Sequence, residues 1–204
     1  MKINKLIIYG CCGLLMLGCK SSTKDETIEK KQAILTEDLS DLSIYNLPSN
    51  WTDQHANQMQ LQDLRGNIVV VAMIYTSCQA ACPRLVADMR HIEKTVNSKA
   101  KSKIKYLLVS IDPQVDTPER LKKFSIENEM DGEQWLFLRS NEEDTREFAA
   151  TLAVNYKKIS PVDFSHSNII SLFNEDGELI YQQEGLGVDY APTIKAIEEA
   201  ANKL

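Results

Sequence analysis

The run Ile68-Val69-Val70-Val71-Ala72-Met73-Ile74-Tyr75 is apolar throughout, without the polar alternation of a strand that has one wet face. A run of this length and β-branched content reads as a buried central strand covered on both sides. Directly after it come two thiols on one turn, in Cys78-Gln79-Ala80-Ala81-Cys82-Pro83. A second strand-like run, Asn168-Ile169-Ile170-Ser171-Leu172-Phe173, is directly preceded by Asp163-Phe164-Ser165-His166-Ser167. If the two strands are neighbours in one sheet, the cysteine loop and the histidine loop face each other across a single edge. Two sulfurs and one imidazole then form three donors that can converge on a soft metal ion.

The rest of the chain alternates strand and helix signals. Gln58 to Leu61 reads as a short edge strand, and Asp63 to Asn67 as the turn into the central strand. Leu85, Val86, Met89, Ile92 and Val96 recur at helical spacing and form one apolar stripe after the cysteines. Lys105 to Ile111 is the next strand. Asp116-Thr117-Pro118-Glu119 starts a helix with a capping side chain followed by proline in the first turn, and that helix runs to about Glu129. Trp135 to Leu138 is a strand, and Asn141 caps a helix that reaches about Val154. Ile169 to Phe173 and Glu178 to Gln182 are joined through Asn174-Glu175-Asp176-Gly177, a hairpin signal. Ala191 to Asn202 closes as a helix. The alternation predicts an α/β fold with a central mixed sheet flanked by helices.

Pro83 has no amide hydrogen and is tolerated only in the first turn of a helix, so the helix is expected to begin at about Cys82. Both sulfurs then lie at or just before a helix N-terminus, whose unpaired amides and dipole favour thiolate over thiol. A plain disulfide stapling the loop is the structural alternative. His55 and His91 are weaker candidates for chemistry, and Met73 and Met89 fit core positions better than ligand positions.

The Cys-x-x-x-Cys-Pro motif with a later histidine resembles the Sco/SenC family of thioredoxin-like copper proteins over about residues 50 to 203. The resemblance implies a thioredoxin-like fold and Cys78, Cys82 and His166 as ligands to one copper ion, Cu(I) or Cu(II). Asp163, three residues before His166, is read as orienting the ring or shaping the site, with a loop cap as the equal alternative. The family usually carries a proline after the first cysteine, where this chain has Gln79, so a more flexible loop is expected. Thioredoxin relatives carry a cis-proline near position 166, whereas no proline occurs at 164–168 here. Zinc could bind the same donors, so copper rests on the resemblance. The implied role is copper delivery to the dinuclear copper A centre of cytochrome c oxidase. The partners would be subunit II of that enzyme, or another copper A protein, and a thiol reductase that keeps the pair reduced. The competing class is a thiol-disulfide oxidoreductase or thiol peroxidase, with Cys78 attacking and Cys82 resolving. A copper buffer or redox sensor is the third.

The N-terminus reads as an export signal. Lys2 and Lys5 precede an apolar segment from Leu6 to Leu17, about a dozen residues long and too short to span a bilayer as a mature helix. Leu15-Met16-Leu17-Gly18-Cys19 is similar to a bacterial lipoprotein cleavage box, which assigns 1–18 to a signal peptide and makes Cys19 the lipidated residue. Acyl chains there would anchor the protein to a bacterial membrane on its extracytoplasmic side. An uncleaved anchor is the alternative. Residues 19–48 are polar and charged and read as a tether of about 30 residues, spanning on the order of 30 Å. Residues 49–204 form the expected domain. Cys11 and Cys12 leave with the signal peptide, so only Cys78 and Cys82 remain as thiols in the exported chain. Two such cysteines four positions apart are a functional pair before they are core residues. Loss of Lys2 and Lys5 takes the formal charge from −6 to −8, which argues against nucleic acid as a partner.

Overall fold

The structure, a computed structural model, describes residues 39–78, 82–97, 99 and 101–204. The expected signal peptide, Cys19 and most of the tether lie outside the described residues. So does the segment Gln79 to Ala81, with its expected flexibility.

The organising element is strand β3 (Ile68–Ile74), buried at every position as its unbroken apolar sequence requires. It pairs in parallel with β4 (Ile104–Ser110) on one side and antiparallel with β8 (Ile169–Phe173) on the other. Strands β5 (Trp135–Leu138) and β9 (Leu179–Glu184) complete a five-stranded mixed sheet of order β5-β4-β3-β8-β9. The crossovers from β3 to β4 and from β4 to β5 carry helices α1 (Cys82–Thr95) and α2 (Pro118–Glu127). Helix α3 (Glu142–Thr151) follows β5, and α4 (Ala191–Ala201) closes the chain. This β-α-β start with a β-β-α end is the thioredoxin-like α/β arrangement expected.

Local chemistry explains most boundaries. Thr117 accepts from the Arg120 amide at 3.3 Å, and Pro118 follows it at the start of α2. Asn141 caps α3 through the Asp144 amide at 2.9 Å. Gly177 adopts φ +77° in the β8–β9 turn, where a side chain would meet the Tyr45 ring at 2.8 Å. The stripe Leu85, Val86, Met89 and Ile92 faces the core, and α1 packs against α4. Asp88 of α1 is buried and accepts from the Tyr190 hydroxyl at 2.7 Å and the Gly187 amide at 2.9 Å.

Three features depart from the sequence-based expectation. Residues ahead of 49 also pack on the domain: Ile44 and Tyr45 are buried, and the Ile44 amide bonds the Gly177 carbonyl at 2.9 Å. Scattered apolar residues in a polar stretch suffice when they meet a turn that leaves room for them. A short strand β1 (Asn50–Thr52) pairs with β2 (Gln58–Gln60), and Thr52 exchanges two backbone bonds with Arg139 at the end of β5. Finally, 156–166 is a hairpin of β6 (Tyr156–Ser160) and β7 (Asp163–His166), where a loop was expected. It pairs with no strand of the main sheet.

The N-terminal strands are fastened through aromatic packing. Trp51 of β1 meets Phe148 of α3 edge-on at 5.3 Å, both without solvent exposure. Phe148→Ala should cost about 3–5 kcal/mol in urea unfolding. A loss below about 1 kcal/mol would mean that α3 does not hold β1 in place.

Candidate metal centre

Because β3 and β8 are antiparallel neighbours, the end of one and the start of the other share one sheet edge. Cys78 lies just beyond β3, Cys82 is the first residue of α1, and His166 ends β7, three residues before β8. Among the described residues these three form a Cys-Cys-His group whose donor atoms lie within 4.8 Å of one another. The Cys82 Sγ to His166 Nε2 distance is 3.7 Å. Two donors each about 2.2 Å from a shared tetrahedral ion stand about 3.6 Å apart, so this edge fits a metal with little movement. Both cysteines are thiols, Cys78 half-buried and Cys82 only 1% exposed.

The imidazole is set in the tautomer that a ligand needs. Its Nδ1 lies 3.0 Å from the Ser167 carbonyl, which can only accept, so Nδ1 donates. In the neutral ring Nε2 is then unprotonated and turned towards the sulfurs. The partner that fixes the ring is therefore a backbone carbonyl. Asp163 instead receives the Tyr75 hydroxyl in a short hydrogen bond.

The helix terminus acts differently from the expectation. The Cys82 amide, at the start of α1, donates to the Cys78 sulfur at 3.3 Å. Burial pushes the Cys82 thiol pKa up, a hydrogen bond from the backbone at Tyr75 opposes this, and the neighbouring Cys78 adds to the rise. The sulfur sits inside the core boundary, where water cannot support a charge.

A second group lies beneath the cysteine loop. Asp116 has no solvent exposure, and its carboxylate accepts from the Ser110 hydroxyl at 2.6 Å and from both the hydroxyl and the amide of Thr76. Arg120 Nε donates to the same Thr76 hydroxyl at 2.6 Å. Capping alone does not account for Asp116: Thr117 is the cap, and Asp116 ties the start of the cysteine loop to β4. Sequence reasoning missed this role, and it missed Tyr75, whose hydroxyl at the end of an all-apolar strand was the available signal. His55 and His91 are exposed and outside the group, and Met73 and Met89 are core residues, as expected.

The SCO1/SenC family model matches residues 40–202. The chain belongs to the SCO1/SenC family. It is similar to the SCO1 protein homolog of Bacillus subtilis (strain 168), with 24% identity over 158 residues that cover 76% of this chain and 81% of that protein. Its fold matches a SCO1/SenC family lipoprotein from Bacillus anthracis str. Ames at TM-score 0.69, with 24% identity over 77% of this chain and 95% of that one. It also matches Arabidopsis thaliana ScoI with copper bound at TM-score 0.67, with 15% identity over 77% of this chain and 98% of that one.

Two outcomes are expected from the electrostatics of the site. In a Cys78→Ser background, thiolate absorbance should show Cys82 ionising above the usual thiol value of 9.0. Ionisation below that value would mean that the helix end dominates after all. Asp116→Ala strands the Thr76 and Ser110 donors and should cost about 1–3 kcal/mol for each left unpaired, read by chemical denaturation.

Proposed function

We infer that this chain is a copper-delivery protein held outside the cytoplasm by lipid on Cys19, with Cys78, Cys82 and His166 taking one copper ion as cargo. One observation carries the reading: two sulfurs and an imidazole nitrogen stand within 4.8 Å of one another at a sheet edge. That donor set suits trigonal Cu(I), or Cu(II) with one added ligand. A small site at a loop edge suits transfer better than storage. The family resemblance supports the dinuclear copper A centre of cytochrome c oxidase, on subunit II, as the acceptor. The copper-bound Arabidopsis relative supports the choice of copper over zinc, and the Bacillus anthracis lipoprotein supports the membrane anchor. Residues 19–37 would then tether the domain to the membrane surface.

A thiol-disulfide oxidoreductase is the second reading, favoured by the asymmetry of the pair. Cys78 is half-buried and able to attack, whereas Cys82 is buried and placed to resolve. In either reading a disulfide between the two removes both thiolates, so a thiol reductase must restore the pair before copper can load.

The anaerobically reduced full chain should bind one equivalent of copper, and sulfur-to-copper charge-transfer absorption should vanish in Cys78→Ser and Cys82→Ser. His166→Ala should lose copper retention while its dithiol still cycles with a glutathione buffer. Unchanged copper stoichiometry in both serine variants would sink the donor assignment, and full retention in His166→Ala would put the oxidoreductase reading first.

The affinity should also depend on pH. Burial raises the Cys82 thiol, so copper must displace a proton there at neutral pH. Affinity, measured against a competing chelator, should rise about tenfold per pH unit for each thiol proton displaced. A flat profile between pH 6 and pH 8, about the range of the test, would mean that copper displaces no thiol proton.

A further inference from the structure

His166 sits on an element with little support of its own. The β6–β7 hairpin pairs with no strand of the main sheet, and an isolated two-stranded ribbon is marginal in water. Its tip is exposed at Ile159 and Val162, and Lys157, Lys158 and Asp163 are also exposed. A cleft of about 440 Å³ separates its Tyr156 and Phe164 side from Asp112, Pro113 and Glu142. At its root the Ser167 amide bonds the Asn155 carbonyl at 2.9 Å.

Tyr75 meets this hairpin from the core. It follows β3, is 1% exposed, and its own carbonyl accepts from the Cys78 amide at 3.3 Å. Its hydroxyl donates to the Asp163 carboxylate and accepts from the Phe164 amide at 3.3 Å. The ring packs on Phe164 at 5.1 Å and stands edge-on to the His166 imidazole at 5.8 Å, with 83° between the planes. One side chain from the buried strand therefore touches the first, second and last residues of β7. Along β7, residues 164 and 166 point to the same face, so holding Asp163 and Phe164 also fixes where His166 points.

We propose that Tyr75 is a positioning residue: its hydroxyl latches the hairpin through Asp163 while its ring backs the imidazole, holding His166 over the cysteine pair. This rests on the copper reading above. The latch is a bond between a phenol and a carboxylate. An ordinary phenol is neutral at physiological pH, so the hydroxyl is available as a donor. Without the latch, the hairpin keeps its two strands and loses its registry with the cysteine loop. The two sulfurs would still bind copper, and the third donor would have to be reordered at each binding event.

The test uses the reduced full chain with Cu(II), and Cu(I) with a competing chelator, in Tyr75→Phe, Asp163→Ala, Asp163→Asn, His166→Ala and the Tyr75→Phe/His166→Ala pair. Tyr75→Phe and Asp163→Ala should each lower copper affinity about 10–100-fold. They should also shift the Cu(II) charge-transfer band and electron paramagnetic resonance spectrum towards those of His166→Ala. Asp163→Asn keeps an acceptor oxygen for the phenol and should retain most of the affinity. In the His166→Ala background, removing the Tyr75 hydroxyl should cost nothing further, because the latch acts only through the histidine.

An equal loss with and without His166 would overturn the proposal, since Tyr75 would then only support the fold. Wild-type spectra in both Tyr75→Phe and Asp163→Ala would overturn it as well, while leaving the donor set intact. If His166→Ala itself binds copper like wild type, the donor assignment fails first and the latch fails with it. Asp163 is exposed, so Asp163→Ala tests the latch without entering the core, even if Tyr75→Phe folds poorly.

Discussion

Everything in this molecule hangs on a strand that can face water on neither side. Strand β3 is buried along its whole length, so no side chain within it is available for chemistry. Its parallel pairing with β4 and antiparallel pairing with β8 satisfy the backbone groups that such burial cuts off from water. The antiparallel partner has a geometric consequence. With Val69 opposite Phe173 and Ala72 opposite Ile170, the chain entering β8 arrives beside the chain leaving β3. Two segments nearly ninety positions apart in sequence thus deliver sulfur and nitrogen to one edge.

That edge is held by buried polar groups acting as ties. Asp116 collects the Thr76 and Ser110 donors, and Tyr75 gives its hydroxyl to Asp163. Leaving such groups unpaired costs more than making the bonds gains, so each tie holds its loop in one place. The first fixes where the cysteine loop departs, and the second ties the histidine hairpin to the same strand end. At the donors themselves, His166 is oriented by the Ser167 carbonyl and the Cys78 sulfur accepts from the Cys82 amide. This leaves their coordinating lone pairs turned towards one another.

The balance of forces on Cys82 bears on how such a site would take a metal ion. A helix start favours a thiolate, yet the sulfur lies inside the apolar boundary, where water cannot stabilise the charge. Burial therefore favours the protonated thiol, and a soft cation has to displace that proton. A cation supplies the missing counter-charge, so charge is buried only when it is neutralised.

By itself the sequence determined the α/β class, the central strand, the helices among the described residues and the two cysteines and one histidine that the fold brings together. Each of these is written in local pattern or composition: an unbroken apolar run, a 3.6-residue stripe, a proline after a cap, a cysteine pair joined to a proline. The packing of Ile44 and Tyr45 on the domain and the 156–166 hairpin were not legible. Ile44 and Tyr45 are core residues only because the Gly177 turn makes room for them. The polar Tyr156-Lys157-Lys158 stretch becomes a strand only by pairing with Asp163 to His166. The tertiary structure alone decided that Asp163 serves Tyr75 and not the imidazole, and that Cys82 is buried where water cannot support its charge. Both outcomes depend on which groups meet across the sheet edge and how much water reaches them, and neither property is local to any stretch of chain.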